Sequence, residues 1–230
     1  MTDAEAGKRA AATAAVALVQ PDMVLGLGSG TTMRFALEAL GQRVREQHLR
    51  IVGIPTSMQT AALALTLGIT LAEPGTPIDL ALDGADEIER GTLRLIKGLG
   101  GALLREKIVV QCARRFVVVA DASKLVAHLG ERAPLPVEVE PFGHPATARR
   151  LAALGGRPAL RLDAAGEPFE TDGGHLIYDC AGFAPIGDPF TLERDLYAIA
   201  GVIETGLFVQ CVERAVVGAP DGTVAVLLAE

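Results

Sequence analysis

The sequence has no tryptophan, and aromatic residues make up only 4% of its 230 residues, although half of the residues are hydrophobic. Alanine, valine and leucine therefore have to fill the core, which suits helices packed on a parallel sheet better than an aromatic-rich β-sandwich. A chain of this length forms one large α/β domain, or one such domain with a small lobe. The scarcity of aromatic side chains thus predicts an α/β protein.

Cysteine and histidine are also scarce. The three cysteines are an odd number and show no C-x-x-C spacing, which predicts reduced thiols and a cytoplasmic protein. The four histidines are scattered along the chain without the spacing of metal ligands, so no metal site is predicted.

Apolar runs long enough to enter a membrane are missing. Residues 1–5 show no basic region followed by an apolar core, so no signal peptide is predicted. The alanine-rich stretch Ala10–Val19 is too short to span a bilayer. It predicts an amphipathic helix that begins at Thr2 or Asp3 and ends before Pro21. We therefore expect no membrane partner.

An excess of positive charge is absent as well. The chain has 21 lysines and arginines against 28 aspartates and glutamates, which gives a formal net charge of −7. This balance argues against nucleic acid or an anionic membrane surface as a partner. A small anionic substrate stays compatible with it, because a few local lysines and backbone N–H groups are enough to bind one.

The first half of the chain alternates short apolar runs with helical stretches. The apolar runs predict strands at Met23–Leu27, Arg50–Ile54, Ile78–Leu82 and Phe116–Ala120. The stretches between them predict helices near Thr32–Leu40, Met58–Leu67 and Ala102–Arg114. Strands and helices in this alternation form parallel βαβ units with right-handed crossovers, so we expect a Rossmann-like open parallel sheet.

The pattern changes after Pro134-Leu135-Pro136. Six shorter elements are predicted as strand Val137–Glu140, helix His144–Leu154, strands Arg157–Leu162 and His175–Cys180, helix Pro189–Ile199 and strand Val202–Glu204. The order βαββαβ is the ferredoxin-like arrangement, which predicts a small α+β lobe at 131–205 that serves as an oligomer interface. Two further strands, Leu207–Val212 and Thr223–Leu228, joined by a turn at residues 220–222, are expected to rejoin the first sheet. The main domain would then comprise 1–130 and 206–230.

Five polar, glycine-rich segments are predicted at one edge of this sheet. In open α/β sheets, ligands bind beyond the carboxyl ends of the strands. The segments that fall there are residues 26–32, 55–57, 83–87, 97–101 and 121–124. Together they mark this edge as the candidate binding site.

The first segment, Gly26-Leu27-Gly28-Ser29-Gly30-Thr31-Thr32, opens a helix and could cradle a phosphate. Glycines let the backbone approach an anion, and the helix N-terminus adds a favourable dipole. A tight turn with a capping threonine explains the residues equally well. A dinucleotide site is disfavoured, because the third glycine of G-x-G-x-x-G is missing and the second strand ends in Ile54-Pro55-Thr56 without an acidic residue.

Carboxylates and lysines fall at the same edge. Asp83 and Asp86 flank a tight turn, and they could hold sugar hydroxyls, relay protons or simply cap the turn. Glu106 lies near the start of a helix, where a carboxylate ordinarily just complements the dipole. Lys97 and Lys124 at the same edge favour a catalytic role for Glu106, since a base that forms an enediolate needs a nearby cation.

The motifs of this chain resemble those of the type A ribose-5-phosphate isomerases. The resemblance runs in order over nearly the whole chain and is carried by residues 26–32, 83–87 (D-G-A-D-E), 96–107 (I-K-G-L-G-G-A-L-L-R-E-K), 120–124, 134–139 and 221–223. The second and third of these segments together are highly specific. Any one of them alone would be weak.

The resemblance implies a role for each matching residue. Glu106 corresponds to the catalytic base, and Lys97, Asp83 and Asp86 would handle the oxygen charge and the hydroxyl proton. The substrate would be bound by Lys8, Ser29, Gly30, Thr31, Thr32, Asp83, Gly84, Ala85, Asp86, Lys97, Gly98, Leu99, Gly100 and Lys124. Some members have glycine where Leu99 stands, which puts in doubt only a contact that needs a positive φ there.

The family's activity implies an aldose–ketose isomerase that interconverts D-ribose 5-phosphate and D-ribulose 5-phosphate through a cis-enediolate, without metal or other cofactor. A homodimer or homotetramer is implied as well. Two alternatives stay open at this point: a sugar-phosphate sensor and an amino-sugar phosphate deaminase. The sensor would normally carry a DNA-binding segment, and the deaminase a histidine near the site; neither is evident among these residues.

Overall fold

The computed structural model describes residues 2–229, which form an α/β core and two smaller sheets of four strands each. In chain order the elements are α1 (Asp3–Val16), β1 (Val24–Leu27), α2 (Thr31–Gln47), β2 (Val52–Pro55), α3 (Met58–Thr66), β3 (Thr70–Leu71), β4 (Leu80–Asp83), β5 (Glu87–Glu89), β6 (Leu95–Ile96), α4 (Leu103–Cys112), β7 (Phe116–Asp121), a 3₁₀ turn (Ala122–Lys124), β8 (Leu125–Val126), β9 (Leu135–Val139), α5 (His144–Ala153), β10 (Arg157–Leu160), β11 (Leu176–Ala181), α6 (Pro189–Tyr197), β12 (Val202–Thr205), β13 (Leu207–Phe208), β14 (Arg214–Gly218) and β15 (Val224–Leu228).

The main sheet has seven strands in the order β15-β14-β7-β4-β1-β2-β3. All neighbouring strands in it run parallel except the β14–β15 hairpin at one edge. Its central strands β4 and β7 are buried along their whole length, as expected of strands covered by helices on both faces. The predicted Rossmann-like open sheet is confirmed.

The small lobe is built on an antiparallel sheet of four strands in the order β10-β11-β9-β12. All six of its predicted elements form, each within about two residues of the expected bounds, and the strand order is that of a ferredoxin-like fold. The lobe packs around an apolar core that includes Val137, Leu151 and Leu196 and extends to Ile96 and Leu207 outside the lobe. The domain bounds 1–130 plus 206–230 and 131–205 remain a prediction.

One predicted strand is misplaced. The expected strand Leu207–Val212 exists only as β13, Leu207–Phe208, and it pairs with β6 in a separate small sheet, not with the main sheet. Gln210 takes a left-handed backbone conformation with φ of 55°, which interrupts extended structure in the middle of the apolar run. The strand that rejoins the main sheet is β14, parallel to β7.

Helix α1 begins where the sequence indicates. The Thr2 side chain accepts a hydrogen bond from the Glu5 N–H, and the Thr2 N–H donates to Glu5 Oε2 at 2.9 Å, which together form a capping box. The helix then packs backbone-to-backbone on β14: a Cβ at Gly7 would lie 2.6 Å from the Gly218 carbonyl oxygen. This close approach brings Lys8 to the carboxyl edge of the sheet.

Candidate active site

A cavity of about 100 Å³ opens at the carboxyl edge of the main sheet. It is lined by Lys8, Ser29, Gly30, Thr31, Thr32, Gly84, Ala85, Asp86, Lys97, Gly98, Gly100, Glu106 and Lys124. Of the predicted site residues, only Asp83 and Leu99 do not line it. Asp83 is buried directly behind it, and the Leu99 side chain is exposed. The structure thus gathers residues from six separate chain segments at one place.

The interior wall of the cavity carries a buried cluster of three charged side chains. Lys97 Nζ lies 2.9 Å from Asp83 Oδ2 and 3.3 Å from Glu106 Oε2. It also donates a hydrogen bond of 2.7 Å to the Gly84 carbonyl. All three side chains are at most 6% exposed, so water screens their interactions very little. Two carboxylates therefore share a single ammonium group.

Burial and mutual repulsion perturb the pKa values in this cluster. Burial raises the pKa of Glu106 to about 8, with repulsion from Asp83 adding to the shift and Lys97 opposing it. Burial raises the pKa of Asp83 in the same direction. Burial acts to lower the pKa of Lys97, but the two neighbouring carboxylates outweigh it and raise that pKa. Lys97 is therefore cationic while Glu106 titrates close to neutrality.

Asp83 is held in place by the loop that follows β1. Its Oδ1 accepts hydrogen bonds from the Gly84 N–H at 2.7 Å and the Ser29 N–H at 3.2 Å. A Cβ at Gly28 would lie 2.1 Å from that same oxygen, so only glycine fits there. The glycine-rich turn therefore holds the Asp83 carboxylate in position, in addition to any part it has in binding a phosphate.

The start of α2 has the features of an anion site. Gly30, with φ of 93°, is its N-cap residue, and no side chain caps the first turn. The N–H groups of that turn are therefore left to a ligand, and the helix dipole favours a negative one. Lys8 donates to Thr31 Oγ1 at 2.9 Å, and Lys124 lines the same cavity. The predicted phosphate loop and both of its lysines converge here.

Three hydroxyl residues that the sequence analysis did not assign to the site support this loop. Ser29 Oγ hydrogen-bonds with Thr56 Oγ1 and Ser57 Oγ, both at 2.8 Å, and lies 3.2 Å from Thr60 Oγ1. Thr60 in turn donates to the Gly28 carbonyl at 3.1 Å. Residues 55–57 were predicted to form a polar loop at this edge of the sheet. That prediction was the only sequence signal for these hydroxyl residues.

The loop 97–101, which joins β6 to α4, closes another side of the cavity. The Leu99 N–H donates to Asp86 Oδ2 at 2.9 Å. Positive φ values in this loop belong to Gly98 and Gly101, not to Leu99. The leucine therefore fits without backbone strain. The carbonyls of Gly98 and Leu99 accept hydrogen bonds from Arg161, a residue of the small lobe that no motif indicated.

Glu87, the last residue of the D-G-A-D-E segment, faces away from the cavity. Its carboxylate accepts hydrogen bonds from the N–H groups of Gly130, Arg132 and Ala133, at 2.5–2.7 Å. It thereby fixes the connection into the small lobe. The motif therefore combines four predicted site residues with one residue, Glu87, that stabilises the fold.

Over residues 2–229, no helix is long and apolar enough to cross a membrane. Within the same described range, no three His, Cys, Asp or Glu side chains are placed to share a metal ion.

A carboxylate that titrates near neutrality, beside a fixed lysine and within reach of an anion-binding helix end, suits proton transfer on a small phosphorylated molecule. Fold and site together define an isomerase of the sugar-phosphate class. A family model described as ribose 5-phosphate isomerase A (phosphoriboisomerase A) matches residues 52–222. The chain belongs to this ribose-5-phosphate isomerase A family.

Ribose-5-phosphate isomerases A of other organisms are similar to this chain over nearly its full length. Ribose-5-phosphate isomerase A of Synechococcus sp. (strain JA-3-3Ab) is 50% identical over 224 residues, covering 96% of this chain and 97% of the relative. That of Roseiflexus castenholzii is 54% identical over 220 residues, covering 94% and 93%. The prediction of a type A ribose-5-phosphate isomerase is confirmed.

Solved structures show the same fold. Ribose 5-phosphate isomerase A from Methanocaldococcus jannaschii superposes with a TM-score of 0.91 at 42% identity, covering 96% of this chain and 97% of the other. A D-ribose-5-phosphate isomerase in complex with phospho-erythronic acid superposes with a TM-score of 0.93 at 37% identity, covering 99% and 100%. The sequence-based fold class is therefore confirmed by independent structures.

Proposed function

We propose that this chain interconverts D-ribose 5-phosphate and D-ribulose 5-phosphate in the non-oxidative branch of the pentose phosphate pathway, with Glu106 as the base. The buried Asp83–Lys97–Glu106 cluster carries this assignment. The related structure with phospho-erythronic acid, a four-carbon sugar acid phosphate, supports a sugar phosphate as the ligand.

The phosphate of the substrate binds at the start of α2, where the free N–H groups, Lys8 and Lys124 meet. That places the sugar over the buried cluster, because all these groups line one cavity. The hydroxyls of the sugar then lie near Asp86 and the loop 97–101. Binding energy from the phosphate, which does not react, holds the reacting carbons in position.

Glu106 takes the proton from C2 of the open-chain aldose, and the electron pair left behind forms a C1–C2 double bond. The C1 oxygen becomes negatively charged, and Lys97 stabilises that charge. Glu106 then returns the proton to C1, while the hydrogen on O2 moves to O1 by way of Asp83 or Asp86. The product is the ketose. A carboxyl pKa of about 8 suits both halves of this exchange, since a catalytic group works best near the operating pH.

The test is an assay of purified protein with ribose 5-phosphate in the presence of a chelator and without nicotinamide. We expect rapid formation of ribulose 5-phosphate, reduced roughly 10²- to 10⁴-fold in Glu106→Gln, the usual contribution of a positioned general base. Glu46→Gln, an exposed change on α2, is the matched control and keeps full activity. Binding of the sugar phosphate without turnover would refute the isomerase and favour a sensor.

We further propose that copies of the chain associate into a homodimer or homotetramer through the small lobe, in the cytoplasm. The lobe exposes large apolar side chains, with Phe142 89% and Leu162 54% exposed. Association through the lobe would remove these two side chains from water. Light scattering on the purified protein gives the mass directly, and a monomer at micromolar concentration would contradict the proposal.

A further inference from the structure

Arg161 lies just beyond the end of β10, and its side chain reaches from the small lobe to the loop 97–101. Its Nη1 donates to the Gly98 carbonyl at 2.9 Å and to the Leu99 carbonyl at 3.2 Å. The side chain is only 11% exposed. One arginine thus binds two successive carbonyls of the loop that faces the reacting carbons.

The guanidinium is itself held rigidly by Asp179 on β11. Its Nε donates to Asp179 Oδ2 at 2.9 Å, and its Nη2 pairs with Asp179 Oδ1. The backbone N–H of Arg161 also donates to the Ile177 carbonyl at 2.9 Å, as part of the small sheet. A planar guanidinium paired on two nitrogens keeps its remaining donors in a fixed direction. The small lobe therefore defines where the two loop carbonyls point.

Because peptide groups are planar, the hydrogen bonds of Arg161 to the two carbonyls also fix the directions of the neighbouring N–H groups. In a trans peptide the C=O of one residue and the N–H of the next point in opposite directions. The Gly98 carbonyl faces Arg161, and the Leu99 N–H correspondingly reaches Asp86 Oδ2 on the other side, at 2.9 Å. By the same geometry, the Leu99 carbonyl on Arg161 turns the Gly100 N–H away from the arginine.

The Gly100 N–H has no hydrogen-bond acceptor among residues 2–229, although Gly100 lines the cavity. An unpaired N–H beside Lys97 and Glu106 is placed to donate to an oxygen of the bound sugar. Such donors are most useful where negative charge develops during the reaction. Within the loop, a hydrogen bond of 3.0 Å from the Gly101 N–H to the Gly98 carbonyl closes the turn around this peptide, and Arg161 holds the Gly98 and Leu99 carbonyls from outside the loop.

We propose that Arg161 is a positioning residue, which orients the loop 97–101 so that the Gly100 N–H binds the charged oxygen of the enediolate. The inference rests on the proposed isomerase function. It assigns to the small lobe a part in the chemistry, carried out through the backbone of the loop. Arg161 itself does not line the cavity.

The test compares Arg161→Lys and Arg161→Met with Arg157→Met, a change of an exposed arginine on β10. Lysine keeps the charge but cannot hold two carbonyls and a carboxylate together. We expect kcat to fall about 10- to 100-fold in both Arg161 variants, below the effect of deleting a direct oxyanion donor. Affinity for phospho-erythronic acid should fall with it. Binding of inorganic phosphate should change less than about twofold, because the phosphate site is formed by other residues.

A direct readout is the backbone amide resonance of Gly100 in ¹⁵N-labelled protein. Phospho-erythronic acid should shift this resonance in the wild-type chain and in Arg157→Met, but not in Arg161→Lys. Circular dichroism and thermal unfolding confirm that the variants are folded. Should Arg161→Met fail to fold, Asp179→Asn loosens the guanidinium while keeping it, and we expect a partial loss of kcat.

Folded Arg161 variants with kcat within twofold of wild type would overturn the proposal. An equal loss of affinity for inorganic phosphate and phospho-erythronic acid would also overturn it, since that pattern indicates a general disturbance of the site. Failure of the isomerase function is a separate result, because the wild-type chain would then show no turnover at all.

Discussion

Lys97 and Glu106 form an ion pair of 3.3 Å at a depth where each side chain is 6% exposed or less. The pair is unequal, because the same ammonium group also serves Asp83 at the shorter distance of 2.9 Å. Glu106 therefore receives only part of the stabilisation that a lone partner would give it. Burial, with repulsion from Asp83 added to it, therefore keeps the pKa of Glu106 high although a lysine is adjacent.

Removing the shared cation should cost both stability and activity. In Lys97→Met two carboxylates stay buried without a counter-charge, which destabilises a protein by about 3–5 kcal/mol. Urea unfolding at pH 8 measures this loss, and it should be smaller at pH 5, where the carboxyls accept protons. The matched variant Lys124→Met, at the cavity rim, should change stability little and weaken substrate binding. Equal stability of Lys97→Met and wild type at pH 8 would contradict the burial argument.

The stability of the wild-type chain should decrease as pH rises through the range set by Glu106. Its pKa is about 8 in the folded chain against an ordinary value of 4.5, so the folded state binds more protons than the unfolded state between those values. The free energy of unfolding then falls with pH across this window, by at most about 1.4 kcal/mol per pH unit for one group.

Glu106→Gln isolates that contribution, because glutamine does not titrate. The difference in free energy of unfolding between wild type and Glu106→Gln should decrease from pH 5 to pH 8 and level off above it. Denaturant unfolding at five or six pH values provides the curve. A constant difference would show that Glu106 titrates at its ordinary pKa.

Catalysis should respond to pH in the opposite sense. Glu106 must be deprotonated to accept the C2 proton, so kcat/KM should rise with pH and level off above about 8. Lys97 keeps its proton over this range because its pKa is raised. Its titration therefore causes no decrease of kcat/KM at the high end of this range. Measurements from pH 6.5 to 9 avoid the ionisation of the substrate phosphate near pH 6. A flat profile would rule out Glu106 as the titrating base.

Gly28→Ala should disturb the site through Asp83. The new methyl group would lie 2.1 Å from Asp83 Oδ1, so either the turn or the carboxylate has to move. We expect a loss of about 1–3 kcal/mol in stability, as for other overpacked positions, and at least a tenfold lower kcat. Gly187→Ala is the control, since a Cβ there meets nothing within 4 Å. Normal turnover by Gly28→Ala would show that the position of Asp83 is uncritical.

Secondary-structure elements that depend on neighbouring residues, such as apolar runs and helix caps, could be predicted from the sequence. Buried strands such as β4 and β7 show as apolar runs, and Thr2 shows as a cap for α1. The segments 29–32, 83–86 and 121–124 were accessible for the same reason: each lies at the carboxyl end of a strand of the main sheet, and parallel strands bring these ends to one edge. Lys8 on α1 and Glu106 on α4 follow no strand directly.

Long-range contacts were not predictable in this way. Arg161 reaches the loop 97–101 from about sixty positions away, and no spacing rule links them. The strand expected at Leu207–Val212 was placed by its apolar run, whereas the left-handed Gln210 divides that run. Short strands such as β5 and β6, of three and two residues, carry too few side chains to show a period.

The contact between Gly7 and Gly218 has a consequence for protein synthesis. Helix α1 packs on α2 and on the two strands β7 and β14, and β14 leaves the ribosome some two hundred residues after α1 does. Until β14 emerges, the backbone contact at Gly7 cannot form, although the glycine-rich turn and α2 are already made. The surroundings of Lys8 at the anion site are therefore completed only when translation is nearly finished.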